Sequence, residues 1–237
     1  MATGYVKVCL PSVESTQDSA FDRFAGVPAV VVAERQTRGR GRTGATWIEP
    51  DRAIFVSLAF VPPGDPAGWA ALPLIGGLAA VDALDHDGRS IRLKWPNDLV
   101  VGDDKVGGLL VEVRGDVVVA GWGCNLYWAE APDGACALLP SDPGNGYAIE
   151  RATAWAELLL AAATRGFDAA ARLRYASLSA TVGQSITWEP SGAGIAEAVA
   201  EDGGLVVRTS EGTAVLRSGA VRHVRAATMP PSETESM

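Results

Sequence analysis

The chain has 237 residues, of which 48% are apolar and 20% charged, a globular composition that excludes wholesale disorder and fibrous repeats. At roughly 150 residues per domain, this length predicts one to two domains. The 20 basic side chains against 28 acidic ones leave a net charge of −8, which opposes any broad nucleic-acid or anionic-membrane surface and confines a basic site to a local patch.

Residues 6–10 form a short extended run, and 15–24 follow as a helix with Ser12 or Ser15 as N-cap. Runs 27–33 and 54–60 are rich in β-branched residues and predict strands. The segment between them, 36–50, carries too much Gly and Arg to pack as either element and is expected to be a long loop. A helix is clearest over 67–85, flanked by Pro66 and by the turn residues Asp87 and Gly88, and 91–95 resumes the extended pattern. The apolar stretch 68–84 contains Pro73 and Asp82, which favours a buried helix over a membrane span. Runs 105–114 and 117–123, joined by Gly115-Asp116, predict a β-hairpin. Hairpins mixed with helices point to an α+β fold, a mixed β-sheet with helices packed on one face, rather than a doubly wound parallel sheet. Residues 131–146 contain three Pro and three Gly and are expected as loop, while 149–180 is alanine-rich and mostly helical. Beyond Thr181, short extended runs punctuated by glycines such as Gly183, Gly192, Gly203 and Gly212 predict a small β-barrel. The expected division is a first domain over 1–176, a barrel over 177–228 and a disordered tail over 229–237. Cys9, Cys124 and Cys136 are too scattered for a disulfide scaffold and, with His86 and His223, offer no zinc-ligand spacing. With no secretory signal at the N-terminus, a reducing cytoplasm is the simplest compartment.

Three segments carry chemistry. Gln36-Thr37-Arg38-Gly39-Arg40-Gly41-Arg42-Thr43-Gly44, followed by Trp47, is an anion-binding loop beside an aromatic platform: glycines let backbone approach a ligand, and guanidiniums offer planar forks. Taken alone, the same residues fit a solvated loop or an RNA-contacting segment. Lys94-Trp95-Pro96-Asn97-Asp98 has Lys105 seven residues after Asp98, ahead of Gly107 and Gly108, so a hairpin can return the lysine to the aspartate. A turn-capping Asp98 with a solvated Lys105 explains that spacing equally well. Gly121-Trp122-Gly123-Cys124-Asn125 suits a flat ligand against the backbone, or a strand-end bulge.

These segments, with Ser15-Thr16-Gln17 ahead of them, resemble the biotin protein ligases in order and spacing from Ser15 to Asn125, and the β-rich end resembles that family's SH3-like C-terminal barrel. The resemblance implies a ligase that uses ATP to convert biotin to biotinyl-5'-AMP and passes biotin to a lysine of a biotin carboxyl carrier domain of an acyl-CoA carboxylase. It implies that Lys105 lies between the biotin carboxylate and the α-phosphate, that Arg42 closes the loop over the intermediate, and that Asp98 orients the lysine or holds Mg2+. Ser15, Thr16, Gln17, Gln36, Gly39, Arg40, Gly41, Arg42, Lys105, Gly108, Gly121 and Gly123 would surround biotin. Arg40, Arg42, Trp47, Asn97, Lys105 and Asn125 would bind the nucleotide. Gln17 stands where family members usually have Asn, which lengthens that contact to the biotin ring. Fourteen residues precede Ser15, too few for the DNA-binding domain of some members, so no specific DNA partner and no membrane are expected, with monomer or homodimer left open. A lipoate or octanoate ligase is the nearest enzyme alternative, and a nucleic-acid-binding module the alternative from another class.

Overall fold

The computed structural model describes residues 4–44, 47–84, 90–219 and 221–224. The turn residues Asp87 and Gly88, the helix end at Asp85, His86 and the tail 229–237 lie outside the described residues. Strands β1 (Val6–Leu10), β2 (Ala29–Ala33), β3 (Arg52–Phe60), β4 (Ile91–Lys94), β5 (Asp98–Val101), β6 (Asp104–Arg114) and β7 (Val117–Tyr127) form a sheet in the order β1-β2-β3-β7-β6-β5-β4. β1 and β2 are parallel, joined through helix α1 (Thr16–Arg23), and the remaining neighbours are antiparallel, so the sheet is mixed.

The helices do not share one face. β2 is buried throughout and β3 from its second residue onward, because apolar side chains occupy both parities of each strand and neither face can be left wet. Val30, Val32, Val56 and Leu58 face the main core with α2 (Leu72–Ala83) and α3 (Gly144–Ala163). Val31 and Ala59, pointing the other way, meet Ala20 of α1 in a second cluster. The expectation of helices on one face is therefore corrected: α1 covers the opposite side.

The predicted 67–85 helix begins as a 3-10 turn, Pro66–Ala71, capped by the Asp65 side chain, before α2 takes over. The stretch Pro66–Ala83 is long and apolar enough to cross a bilayer by composition, yet 61% of it is buried inside the fold, as an all-round apolar core helix must be. Trp155 of α3 is fully buried, donates its indole N–H to the Gly76 carbonyl at 3.0 Å and lies 5.8 Å from the Trp122 ring. The alanine-rich region is two helices, α3 and α4 (Ala169–Leu178), separated by Gly166 at φ +67 and a cap from Asp168 to the Ala171 N–H. α3 starts at Gly144, inside the expected loop.

Strand β5 was not anticipated. Four residues give little periodicity, and the turn chemistry of Pro96-Asn97 is real: 95–97 turn the chain from β4 into β5, with Asp98 already in the strand, and a second turn follows at Gly102 (φ +61) and Asp103.

Strands β8 (Ser185–Trp188), β9 (Gly192–Val199), β10 (Leu205–Thr209), β11 (Gly212–Leu216) and β12 (Val221–His223) form a second, antiparallel sheet in the order β11-β10-β9-β8-β12. It is fastened to the β4 edge. Ala180 donates to the Leu93 carbonyl at 2.8 Å, Trp95 N–H donates to Thr181 Oγ1 at 3.1 Å, and the Trp95 indole donates to the Gly203 carbonyl at 3.0 Å.

Replacing Trp155 by Ala removes a fully buried ring and its hydrogen bond to the Gly76 carbonyl. We expect unfolding free energy, measured by denaturant titration, to fall by about 3–5 kcal/mol. A loss below about 1 kcal/mol would contradict the placement of this ring at the centre of the core.

Candidate active site

The site lies on the α1 face, over the middle of β3, β7 and β6. Ser57, Gly121 and Leu110 are register partners across these strands, and the first turn of α1 rests on them. Ser57 donates to Thr16 Oγ1 at 2.8 Å, and Thr16 donates both its hydroxyl (3.0 Å) and its backbone N–H (2.8 Å) to Gln36 Oε1. Gln17 Nε2 donates to the Leu110 carbonyl at 3.1 Å. Ser15, at the N-cap position, makes no side-chain capping bond. Ser15, Thr16, Gln17 and Ser57 are at most 4% exposed. Gln17 Oε1 is buried without a hydrogen-bond partner, an acceptor whose desolvation costs about 1–3 kcal/mol unless a ligand N–H meets it. Gly121 makes this possible: a Cβ there would stand 3.0 Å from Ser57 Oγ and 3.2 Å from the Gln17 amide carbon.

The second wall is the β5–β6 hairpin. Lys105 and Gly108 are three positions apart and would face opposite sides of a regular strand. The register shifts between Leu99 and Val100, because Leu99 pairs with Gly107 and Val100 with Lys105, leaving Val106 as the extra residue. This bulge turns Lys105 to the side shared by Asp98 and Gly108. Lys105 Nζ then lies 2.6 Å from Asp98 Oδ1 and 5.8 Å from the Trp47 ring centroid. A Cβ on Gly108 would stand 3.3 Å from both charged atoms. The Lys105 backbone is itself held: its N–H donates to the Gly134 carbonyl and its carbonyl accepts from the Cys136 N–H, each at 2.9 Å.

The Arg-Gly loop forms the roof. Arg40 donates to both carboxylate oxygens of Asp18, at 2.7 and 3.0 Å, and Arg114 donates to Asp18 at 2.7 Å and to Glu112 at 2.7 Å. The Arg40 guanidinium, assisted by Arg114 and opposed by partial burial, holds the Asp18 carboxyl down at about 2, and Asp18 in turn raises Arg40 above its ordinary value. Arg42 donates to Asn97 Oδ1 at 3.1 Å and to the Gly219 carbonyl at 3.4 Å, so the loop also touches the far end of the second sheet. Trp47 lies on Gly123, where a Cβ would come within 2.9 Å of the indole.

Of the residues selected from sequence, Ser15, Thr16, Gln17, Gln36, Arg40, Gly41, Arg42, Trp47, Asn97, Asp98, Lys105, Gly108, Gly121 and Gly123 line one cavity of about 500 Å³. Gly39 and Asn125 do not line it. The Gly39 carbonyl accepts from the Trp47 N–H at 3.0 Å, pinching the loop. Asn125 is buried, its Nδ2 donating to the Cys136 carbonyl at 3.0 Å and more weakly to that of Lys105 at 3.5 Å, with Oδ1 unpartnered. Ser57, Ser218 and Gly219 also line the cavity and were not selected. Ser57 had a local signal, being the one polar residue of the 53–60 run. Asp98 Oδ1 is held by Lys105, and no cluster of three or more His, Cys, Asp or Glu lies among the described residues, so any Mg2+ here would be held chiefly by substrate phosphates and water, with Asp98 as its one carboxylate and shared with the lysine.

Residues 9–126 match the Biotin/lipoate A/B protein ligase family. A biotin–[acetyl-CoA-carboxylase] ligase of Paracoccus denitrificans is 30% identical over 238 residues, covering 90% of this chain and 98% of the relative. The bifunctional ligase/repressor BirA of Escherichia coli is 34% identical over 126 residues, 49% of this chain, and the chain spans 39% of that relative's length. Among solved structures, a biotin protein ligase from Aquifex aeolicus in complex with biotin and ATP superposes with a TM-score of 0.77 at 26% identity, covering 93% of this chain and 99% of its own.

A methyl group at position 108 competes for space with the ion pair beside it. In a crystal structure of Gly108→Ala, Lys105 Nζ should be displaced and its separation from Asp98 lengthened beyond 2.6 Å, with the melting temperature shifted by no more than about 4 °C. An unmoved lysine would mean that the glycine is not what admits the pair.

Proposed function

The chain belongs to the biotin protein ligase family, and from that premise we propose that it activates biotin with ATP and transfers it to a carrier-protein lysine. In the first step a biotin carboxylate oxygen bonds to the α-phosphorus of ATP as the bond from that phosphorus to the β-phosphate's bridging oxygen breaks, and pyrophosphate leaves. In the second, the amine of a lysine on a biotin carboxyl carrier domain attacks the acyl carbon of biotinyl-5'-AMP. An amide forms, the amine loses a proton and AMP departs.

Both reactants of the first step are anions, so their approach needs fixed positive charge in a site that excludes water. Lys105, oriented by Asp98, supplies a compact ammonium between carboxylate and α-phosphate, and Arg42 supplies a fork from the roof. Trp47 closes the nucleotide side. Asn97 is assigned to the nucleotide from the cavity wall, whereas Asn125, assigned to it by resemblance, stands outside the cavity and would act through the Cys136 peptide that holds Lys105.

One observation carries the choice of acid: the partnerless Gln17 Oε1 in a buried cluster of hydroxyls and amides. A ureido ring brings two N–H donors and a carbonyl acceptor to this floor, whereas a lipoyl or octanoyl chain would leave its polar atoms unpaired. Residues 1–176 are assigned to catalysis, 177–228 to a closed SH3-like barrel and 229–237 to a tail. The reducing cytoplasm suits the free thiols of Cys9, Cys124 and Cys136, and the assembly is a monomer or a homodimer.

Lys105→Ala should keep the fold by circular dichroism but slow biotin-dependent pyrophosphate release by about 10²- to 10³-fold. A rate within about threefold of wild type would remove the lysine from the mechanism.

Gln17→Leu removes the waiting acceptor and its bond to Leu110. Biotin affinity should weaken by about 5- to 150-fold, the range that corresponds to about 1–3 kcal/mol. If octanoate or lipoate drives pyrophosphate release by the wild type as well as biotin does, the acyl-chain reading replaces this one.

A further inference from the structure

The roof loop contains Gly39, Gly41 and Gly44, with Gly44 at φ +78, and ordering so free a backbone carries a large entropic cost. Its ends are pinned by backbone bonds: Thr37 N–H to the Val13 carbonyl at 3.0 Å, Arg38 N–H to the Glu14 carbonyl at 2.8 Å, and Trp47 N–H to the Gly39 carbonyl at 3.0 Å. Within the loop, the side chains of Arg40 and Arg42 reach out to the body of the protein. Arg42 is tied to the second wall of the cavity. Arg40 is tied to something else.

Arg40 lines the cavity, but its guanidinium meets Asp18, which does not. Asp18 sits one residue after Gln17, on the helix whose first turn forms the polar floor. Its Oδ1 also accepts from Arg114 of β6, and the Arg114 guanidinium lies 4.9 Å from the Phe21 ring and bonds Glu112, whose carboxylate stands 3.6 Å from Arg40. Two carboxylates and two guanidiniums thus alternate across the loop, α1 and β6. An isolated pair at this half-exposed position would contribute little, whereas a bidentate fork in a network fixes position as well as charge. Asp18 is the stronger anchor for the loop, since it holds Arg40 by two hydrogen bonds while Glu112 reaches Arg40 only at 3.6 Å.

We infer that Asp18 is a positioning residue that latches the Arg-Gly loop shut through Arg40 and so sets how long the acyl-adenylate stays bound. This rests on the proposed ligase activity. A carboxylic-phosphoric anhydride reacts with any exposed lysine, so its retention until the carrier arrives depends on how slowly the roof opens. The charge that keeps the roof closed is supplied from outside the cavity, which leaves Lys105 and the floor untouched when it is removed.

The test uses the full chain carrying Asp18→Asn, which preserves shape and removes charge. Single-turnover pyrophosphate release should stay within about threefold of wild type, while adenylate dissociation, followed by rapid gel filtration of labelled complex, accelerates by about tenfold. A bystander protein without a carrier domain should be biotinylated in proportion, and Asp18→Glu should restore most of the retention. Raising salt from about 0.05 to about 0.5 M should speed adenylate loss from the wild type more than from Asp18→Asn, where Glu112 at 3.6 Å is the remaining ionic contact to Arg40. An adenylate lifetime within about twofold of wild type overturns the latch, as does a pyrophosphate rate that falls together with retention. Absence of biotin-dependent pyrophosphate release from the wild type would instead refute the ligase activity itself.

Discussion

Lys105 reaches Asp98 at 2.6 Å only because several backbone features agree. The bulge at Val106 turns the lysine to the aspartate's side, Gly108 leaves the space, and the 134–136 segment grips the lysine's own peptide groups. Gly107 completes the set, since a Cβ there would stand 2.7 Å from the Gly123 carbonyl oxygen. In the proposed activity this ammonium sits between two approaching anions and has little tolerance for misplacement, and its placement comes from strand geometry rather than from side-chain packing alone. The strand order serves the same end by placing β6 between β5 and β7, whose Gly121 and Gly123 open the floor.

The floor works by a different balance. Most of the sheet's interior is apolar, but Ser15, Thr16, Gln17 and Ser57 are buried on the α1 face, where Ser57 bonds Thr16, Thr16 bonds Gln36 and Gln17 bonds the Leu110 carbonyl, leaving Gln17 Oε1 without a partner. Leaving one buried acceptor open costs stability in the empty protein and gives discrimination when a donor of the right shape arrives. α1 therefore has two duties. Its Ala20 closes a small core against Val31 and Ala59, and its first turn presents polar groups a few residues away.

Local pattern revealed what local chemistry determines. The β-branched runs gave β2 and β3, the Gly115-Asp116 turn gave the β6–β7 hairpin, and glycine spacing gave the texture of the second sheet. Of the site residues selected through motif order, fourteen line one cavity. Hidden from sequence were features that depend on partners far along the chain. Arg40 lines the cavity as expected, but the carboxylate that holds it lies 22 positions earlier, and Arg42 meets Gly219 at a separation of 177. Strand β5 was too short to show a period, and the placement of α1 follows from the two-sided burial of β2 and β3, which no window around α1 contains. The catalytic assignments came from family resemblance, because an aspartate and a lysine at that spacing have several ordinary explanations.

The attachment of the second sheet has a mechanical side. Its grip on the first sheet ends at Trp95, bound through main chain to Thr181 and through the indole to Gly203, and the cavity wall begins at Asn97. Pro96 alone separates them, and its ring locks the backbone torsion at that point. On the other side of the cavity, Gly219 touches Arg42 of the roof. The second sheet therefore meets the cavity at two places, its wall through 95–97 and its roof through Gly219, so that any displacement of that sheet against the first would be felt at both.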